Sequence, residues 1–431
     1  MKKKLDEQFI INLSKSKEEP SWMLDIRLKA YEEFKKLPEP DFGPKIEIDF
    51  DNINYYKKEK GTKLTDDWNN VSCSVKDTFK KLGVIDAEKK YLGGVTNQIE
   101  SEVFYHNQSL GSDIIFTSTD DALKKYPILF KEYFNNLVKY NENKYTALNT
   151  ALWSGGSFIY IPPNVKVDRP LQSYFRIDSE SLGQFERTII VVSENSELSY
   201  IEGCTAKSYS TTSLHAGVVE IYVKENAKCR YSTIQNWSKD VMNLVTKRAE
   251  VLDNGLMEWI DGNIGSKVTM KYPSCILKGD GSMGNSISIA YAKEGQILDA
   301  GAKMIHLGKN TKSNILSKSI ASNGGVANYR GTTKITKSAL NSVASIKCDT
   351  IILDEYSKSD TIPKNIVGNS SSKLEHEASI SKISAEKLFY LQSKGLSENA
   401  AKEELIMGFI NDFKKELPME YAVELNKLLK N

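Results

Sequence analysis

Side chains that could bind a soft metal ion are scarce in this 431-residue chain, which has five cysteines and four histidines. The cysteines lie far apart and form no C-x-x-C pair, so the sequence encodes neither a disulfide framework nor a structural zinc site. We expect free thiols. No G-x-x-x-x-G-K-[ST] motif occurs, which excludes a P-loop nucleotide site. If ATP hydrolysis contributes to the function, another chain must bind the nucleotide.

An excess of charge of one sign is also missing, as is a long apolar run. The 58 basic and 56 acidic residues give a formal net charge of +2, which argues against nucleic acid or an anionic membrane as a partner. No stretch approaches the roughly 20 apolar residues of a membrane span, and LDEQFI after the initial MKKK interrupts any signal-peptide apolar region. We therefore expect a cytoplasmic protein.

Three regions differ in their hydrophobic pattern. Residues 1–150 are predicted to be helical or mixed, beginning with an amphipathic helix between Pro20 and Pro38. Residues 151–383 consist of short alternating or β-branched runs such as SFIYI and RTIIVV, which are typical of strands. Residues 384–431 return to helical sequence. The prediction is a mainly β protein with helical domains at both ends.

A repeated template explains the long β region. An Asn is followed by a larger apolar residue three positions later, an aromatic residue at five and a polar residue at seven. The template begins at Asn195, Asn226 and Asn254, and continues more weakly at Asn310, Asn341 and Asn369, with one coil inferred near Gly281. A strand-rich unit of about 30 residues is the signature of a parallel β-helix, in which equal template positions stack. A two-sheet sandwich is the alternative, but it gives no reason for a fixed period.

The C-terminal region is predicted to form three helices. Ser384 and Ser397 are candidate N-caps for the first two, and Pro418 opens the third. The second helix and its continuation place three apolar residues on one stripe: Leu405, Phe409 and Phe413. Such a tail either caps the open end of the β-helix or presents an apolar face to a partner.

The stretch between Asn341 and Ser379 contains the clearest candidate metal site. It places Cys348 ahead of a Glu375-His376-Glu377 run, and both lie in alternating, strand-like sequence. Thiolate, imidazole and carboxylate are together ligands that iron accepts. The alternative is a buried thiol on one strand and a solvated acidic edge on the next.

A second cysteine is a candidate for transfer chemistry. Cys204 and Gln235 both lie nine positions after a template Asn, so thiol and amide should project from the same side of adjacent coils. A buried core thiol is the alternative. Lys247, Arg248 and Arg176 would lower the pKa of the thiol if they point toward it, and are otherwise surface charges.

Two classes of function follow from these residues. One is a non-enzymatic scaffold that holds a metal at Cys348. The other is a β-helix carbohydrate-active enzyme that uses the same-side carboxylates of Glu202 and Asp261 as acid and base. The cysteine with its acidic and histidine neighbours favours the scaffold.

Many segments, in the same order, resemble the SufB/SufD family, the scaffold subunits of the SUF iron-sulfur cluster assembly machinery. They include EPSWMLDIRLKAY (19–31), SEVFYHN (101–107), ALWSGGSFIYIP (151–162), GQFERTII (183–190), YIEGCTA (200–206), SLHAGVVE (213–220), RYSTIQNW (230–237), NLVTKR (243–248), NYRG (328–331), KCDTIIL (347–353) and LEHEASISKI (374–383). YIEGCTA and RYSTIQNW favour the SufB branch, with a SufD-like structural paralogue as the alternative. The likeness covers nearly the whole chain.

The resemblance implies a right-handed parallel β-helix that is itself non-catalytic. It implies three partners: a SufC ATPase at the C-terminal helices, a SufD or second SufB copy at the end of the β-helix, and a cysteine desulfurase or sulfur carrier. It also implies a transient iron-sulfur cluster of unresolved type and allows a reduced flavin to visit.

Carried over position by position, the resemblance assigns residues to two sites. The sulfur-accepting cysteine is Cys204, with functional residues that line the coil interior at Arg176, Gln235, Trp237 and Lys247. The cluster-building end is Cys348 with Glu375, His376 and Glu377. Because Cys204 and Cys348 are predicted to lie about five coils, or roughly 24 Å, apart, a polar relay that includes Gln235 and Lys247 is expected between them.

Strand geometry then predicts which residues of the acidic run hold the cluster. Side chains alternate along a strand, so the two glutamates share one face and His376 the other. Cys348 and His376 are each seven positions after a template Asn, which predicts thiol and imidazole on neighbouring coils about 4.8 Å apart. The resemblance instead implies the carboxylates as ligands, Glu377 among them, and a slip of one residue or a bulge near Lys373 would favour them. Two ligands are too few for a cluster, so the others are expected from a partner subunit.

Overall fold

A computed structural model describes residues 4–58, 64–81, 83–111 and 113–416. Its helices are α1 (Glu7–Ser16), α2 (Ser21–Lys36), α3 (Cys73–Lys81), α4 (Val84–Lys90), α5 (Thr119–Lys125), α6 (Pro127–Tyr133), α7 (Lys144–Leu152), α8 (Ala385–Ser393), α9 (Glu398–Phe409) and α10 (Asn411–Lys415). Its strands are β1 (Gly94–Ile99), β2 (Glu102–Gln108), β3 (Ile115–Ser118), β4 (Ser157–Ile161), β5 (Leu171–Ile177), β6 (Gly183–Gln184), β7 (Arg187–Val192), β8 (Glu197–Ala206), β9 (Ser213–His215), β10 (Val218–Val223), β11 (Lys228–Trp237), β12 (Val241–Val251), β13 (Leu256–Gly265), β14 (Val268–Lys271), β15 (Ser274–Leu277), β16 (Met283–Ala292), β17 (Ile297–His306), β18 (Lys312–Ala321), β19 (Val326–Ile335), β20 (Val343–Ile352), β21 (Thr361–Val367) and β22 (Lys373–Lys382).

Two parallel sheets form a β-solenoid, as the repeat predicts. The first sheet has ten strands in the order β2-β1-β5-β8-β11-β13-β16-β18-β20-β22. The second has twelve, nine of them along the path β21-β19-β17-β14-β12-β10-β7-β4-β3, with β6, β9 and β15 off this path. The chain alternates between the sheets, and successive coils pair in parallel. The sandwich alternative is therefore wrong. The antiparallel strands β2 and β3 lie at one end, and β22 and β21 form the last coil at the other.

Turn chemistry sets the period of the solenoid. Five of the template Asn residues adopt positive φ angles between 53° and 58°, a left-handed conformation that Asn tolerates well, namely Asn195, Asn226, Asn254, Asn310 and Asn341. Gly281 has a φ of 69° at the equivalent position, which confirms the inferred coil. In each of these coils the first-sheet strand begins two residues later. In the last coil β22 begins at Lys373, so Ser371 rather than Asn369 occupies the turn position.

The template positions three and five form an apolar layer inside the solenoid. Tyr200, Tyr231 and Trp259 stack on successive coils with ring centroids 4.9 Å and 5.3 Å apart. Cys229 lies between Leu198 and Met257 and is a core residue, as predicted. All five cysteines are free thiols.

Helices cover the outer faces of both sheets. The predicted helix after Pro20 is α2, and it packs with α1 and α7 on outward residues of the second sheet such as Leu214 and Leu244. Residues 94–118 supply three strands, and β1 extends the first sheet by pairing in parallel with β5. No helix within the described ranges is both long enough and apolar enough to cross a membrane.

The C-terminal helices begin at their predicted caps. The Ser384 and Ser397 hydroxyls accept from the backbone N–H groups of Lys387 (3.2 Å) and Ala400 (3.3 Å). However, Phe413 is buried against the outer face of the first sheet, so the apolar stripe is not an open face. Ile406 and Ile410 are buried with it. The predicted third helix from Pro418 lies outside the described residues.

Candidate functional site

Cys204 lies near the end of β8, inside the solenoid. Its Cα partners are Phe175 on one neighbouring coil and Gln235 on the other, which confirms that thiol and amide share a side. The residue is 1% exposed and packs with Phe175, Leu182 and Trp237. The thiol is therefore shielded from bulk water, although the exposed turn that follows β8 begins three residues later.

A buried ionic network surrounds this thiol. The Cys204 S–H donates to Glu202 Oε1 (Sγ to Oε1 3.7 Å), and Lys247 Nζ lies 3.3 Å from the same oxygen. The Tyr231 hydroxyl donates to Glu202 Oε2. Lys247 also donates to Thr233 Oγ1 at 2.7 Å. Lys247 thus lines the interior beside Cys204, as the resemblance implies.

The network extends through polar side chains from the second sheet. Lys271 Nζ lies 2.7 Å from Asp261 Oδ1 and donates to Gln235 Oε1 at 3.2 Å. Asn243 Nδ2 donates to the same Gln235 oxygen at 2.9 Å. His215 lies 2.9 Å from Asn243 through Nδ1 and 3.1 Å from Glu186 Oε2 through Nε2. Carboxylates and cationic groups therefore alternate from Glu202 to Glu186, which is how buried charges are tolerated.

Burial governs the ionisation of the thiol. It raises the pKa of Cys204 well above its ordinary value, as do the nearby Glu202 and Glu186, and Lys247 and Lys271 oppose this only in part. Although burial disfavours its charge, Glu202 and Asp261 raise the pKa of Lys247. Lys247 lowers the pKa of the Cys204 thiol, as hypothesised, but burial and the two carboxylates raise that pKa by more.

Two of the predicted basic residues point elsewhere. Arg176 lies between Phe175 and Ile177, which pack with Cys204, so its own side chain points to the opposite face. There it pairs with Asp178, with Arg176 Nε 2.6 Å from Oδ1. Arg248 binds Glu142 on the outside of the second sheet, at 2.6 Å and 2.8 Å. The structure therefore does not bring Arg176 or Arg248 to the thiol.

A polar column connects this network to Cys348. Consecutive Cα partners on neighbouring strands of the first sheet form it: Glu202, Thr233, Asp261, Ser288, Ser317 and Cys348. All six are buried, and the Ser288 hydroxyl donates to Ser317 Oγ at 3.1 Å. Cys204 and Cys348 lie five strands apart in the sheet, as predicted. The column is the polar position seven of the sequence template. Sequence reasoning used that position for Cys348 and for the carboxylates of Glu202 and Asp261, but not as a route between the two cysteines.

Cys348 meets His376 at the last coil. Sγ lies 3.8 Å from His376 Nε2, and His376 Nδ1 lies 3.0 Å from Asn365 Nδ2. The predicted register is wrong by two residues, because His376 pairs with Ile346 and Cys348 pairs with Ala378. The contact is diagonal rather than direct. Cys348 and His376 still meet because a shift of two residues keeps each side chain on the same face of its strand.

The two glutamates lie on the other face of β22, as strand alternation predicts. Both are exposed, and Glu377 Oε1 lies 3.4 Å from Lys347 Nζ. Burial raises the pKa of Cys348 to about 12 and lowers that of His376. Neutral imidazole is the form that binds metals. Within the described residues, no three His, Cys, Asp or Glu side chains converge to hold a metal ion.

Comparison with known proteins identifies the family. Residues 12–173 match the SufBD protein N-terminal region, and residues 175–409 match the SUF system FeS cluster assembly SufBD core domain. This chain belongs to the SufBD family. An iron-sulfur cluster assembly SufBD family protein of Staphylococcus epidermidis is 55% identical over 431 residues, which is 99% of this chain and 92% of that protein. A protein of Staphylococcus aureus with the same description is 54% identical over 430 residues, with the same coverage.

SufBD membership and the buried network together remove the carbohydrate-enzyme alternative. Glu202 and Asp261 lie inside the solenoid, where Lys247 and Lys271 bind them. Both are almost fully buried, so a saccharide could not pass between them. Their side chains neutralise buried lysines instead.

Proposed function

We propose that this SufBD-family chain is a SufB-type scaffold on which nascent iron-sulfur clusters are assembled from iron and persulfide sulfur. The buried polar column from Glu202, beside Cys204, to Cys348 is the observation that carries the proposal. It joins the two cysteines that the resemblance assigns to sulfur acceptance and cluster building. A thiolate at one end cannot reach the other over about five strand spacings of roughly 4.8 Å, so polar side chains between them favour a relay.

The proposed roles follow from position. Cys204 accepts sulfur, and Gln235 and Lys247 line the route from it. Trp237 packs in the same buried cluster as Cys204 and against His215, and the ring centroids of Trp237 and His215 lie 4.7 Å apart. Arg176 acts on the outer side of the strand, where its side chain binds Asp178. Asp178 also binds Lys207, with Lys207 Nζ 3.2 Å from Oδ2, and Lys207 begins the turn after β8.

The proposed cluster-building end uses Cys348 and His376, with Glu375 and Glu377 as the alternative ligands on the outer face. The cluster is a product that leaves the scaffold. A visiting reduced flavin stays a prediction from the resemblance.

Three partners belong to the proposal. A SufC ATPase binds the C-terminal helices and supplies ATP hydrolysis, so this chain needs no catalytic site of its own. A SufD or second SufB copy pairs with the last coil, and a cysteine desulfurase or sulfur carrier delivers persulfide. A SufD-like structural role is the alternative, and it predicts that Cys204 never carries a persulfide.

Two assays on one set of variants test the scaffold role. Cys204→Ser should abolish the cluster that co-purifies from cells with the partner subunits, because sulfur no longer enters. The same variant should still form a chromophore when iron and sulfide are added anaerobically, because Cys348 is intact. Cys229→Ala is the matched control, since it removes another buried cysteine from the same sheet. Equal loss of cluster in both assays would contradict the relay.

A further inference from the structure

Glu202 and Cys204 form a donor-acceptor pair inside the solenoid, shielded from bulk water. The S–H group points at Glu202 Oε1, 3.7 Å from Sγ, and both residues are 1% exposed. Bulk water is therefore a poor acceptor for the thiol proton. The reactive form of a cysteine is the thiolate, so the proton must go to a group within the protein.

Glu202 is held in place for that task. The Tyr231 hydroxyl donates to one carboxylate oxygen, and Lys247 Nζ lies 3.3 Å from the oxygen that faces the thiol. These contacts orient the carboxylate and leave Oε1 directed at Sγ. Apo distances of this kind commonly shorten when a reaction partner is bound.

We propose that Glu202 accepts the proton of Cys204 when sulfur is delivered to it. The inference rests on the proposed function. The Cys204 S–H bond breaks and its proton moves to Glu202 Oε1. The Cys204 thiolate then attacks the outer sulfur of a persulfide on a donor protein, and the donor S–S bond breaks. The donor leaves as a thiolate with the electron pair of that bond, and Cys204 carries the new persulfide, so no external oxidant or reductant is needed.

Removing the Glu202 carboxylate separates this role from a purely electrostatic one. A carboxylate beside a thiol disfavours the thiolate, so its removal would make Cys204 more reactive if Glu202 were only a neighbouring charge. If Glu202 is the proton acceptor, its removal makes Cys204 less reactive. The two interpretations predict opposite signs. Other ionisable groups act in the same interior and must be kept intact: Glu186, His215, Tyr231, Lys247, Asp261 and Lys271.

The test uses the full chain and methyl methanethiosulfonate, a small electrophile that offers a sulfur atom. Its reaction with Cys204 is followed by peptide mass spectrometry from neutral to mildly alkaline pH. Glu202→Gln should slow the reaction by about a hundredfold, most strongly at the lower pH. Glu220→Gln is the control, because it removes an equally buried carboxylate that binds Arg187 at 2.6 Å, away from Cys204. A faster reaction in Glu202→Gln, or an unchanged one, would overturn the proposal.

Glu202→Asp gives an independent result if the Gln variant does not fold. Aspartate keeps the negative charge but places it farther from Sγ. A slower reaction of Cys204 with the reagent in this variant would therefore identify Glu202 as the proton acceptor. An unchanged reaction rate would refute that role. The S–H stretching band of Cys204, assigned by its loss in Cys204→Ser, should shift to higher frequency in both variants. The reagent needs no donor protein, iron or partner subunit. Failure of this proposal is therefore distinguishable from failure of the scaffold role.

Discussion

Single residues at the Cys348 end show how strand alternation selects candidate ligands. The thiol and the His376 imidazole lie on one face, 3.8 Å apart, and Glu375 and Glu377 lie on the other. A thiol and a neutral imidazole are ligands that suit iron. Glu377 instead contacts Lys347 at the surface. The geometry of this chain alone therefore favours His376 over the carboxylates.

Alanine variants reconstituted anaerobically with iron and sulfide test that preference. Cys348→Ala and His376→Ala should lose most of the visible chromophore, because each removes a side chain that faces the same point. Glu377→Ala should keep it. If Glu377→Ala loses the chromophore while His376→Ala retains it, the outer carboxylate is the ligand and the last strand must rearrange when the partner binds.

At the scale of secondary-structure elements, the C-terminal helices divide into a packed part and an open part. The α9–α10 unit covers Ile260 and Ile289 on the outer face of the first sheet. By contrast, α8 buries no residue, and its Phe389 and Tyr390 are 72% and 60% exposed. Deleting residues 397–431 would therefore uncover the sheet as well as remove part of the proposed partner site. The exposed face of α8 is the better place to test binding of the ATPase subunit.

Substitution on α8 should separate binding from folding. Phe389→Asp should weaken co-purification of the ATPase subunit at least tenfold without changing the melting temperature, because the side chain makes no buried contact. Phe413→Ala should instead lower the free energy of unfolding by about 3–5 kcal/mol, the usual cost of deleting a buried Phe. Retained ATPase binding in Phe389→Asp would move the partner site away from α8.

At the scale of the whole molecule, the two ends of the solenoid differ. The antiparallel strands β2 and β3 lie at the first end, and the last coil exposes apolar side chains on both sheets, including Ile366, Val367 and Ile380. An exposed apolar strand edge is a surface that another chain can extend. The same end holds Cys348 and His376. A second solenoid subunit docked there would complete their ligand set.

One charge at that end should prevent pairing. Ile380→Asp should shift the complex with a SufD or second copy toward monomer in light scattering after size exclusion, because the aspartate would lose its hydration in the interface. Ile128→Asp is the control, since Ile128 is 87% exposed on α6. Equal pairing in wild type and Ile380→Asp would place the interface elsewhere.

The elements that the sequence predicted depend on local chemistry. Four local features act within one coil: Asn in the left-handed turn, the serine N-caps, strand alternation and the repeat of about 30 residues. Together they predicted the solenoid and the five-strand separation of Cys204 from Cys348. Strand alternation also predicted that Glu375 and Glu377 share one face of their strand. Family resemblance added the roles that we propose for the two cysteines.

Contacts between coils were decided only by the tertiary structure. Whether the last coil begins at Asn369 or Ser371 depends on pairing with the coil before it, and a shift of two residues leaves the hydrophobic pattern unchanged. Lys247 and Glu202 are 45 residues apart, and their contact needs the two sheets to face each other. Likewise, the burial of Phe413 and the outward direction of Arg176 follow from what packs on each face of the first sheet. Local pattern determines a strand and its faces, but which charges meet inside depends on packing between distant segments.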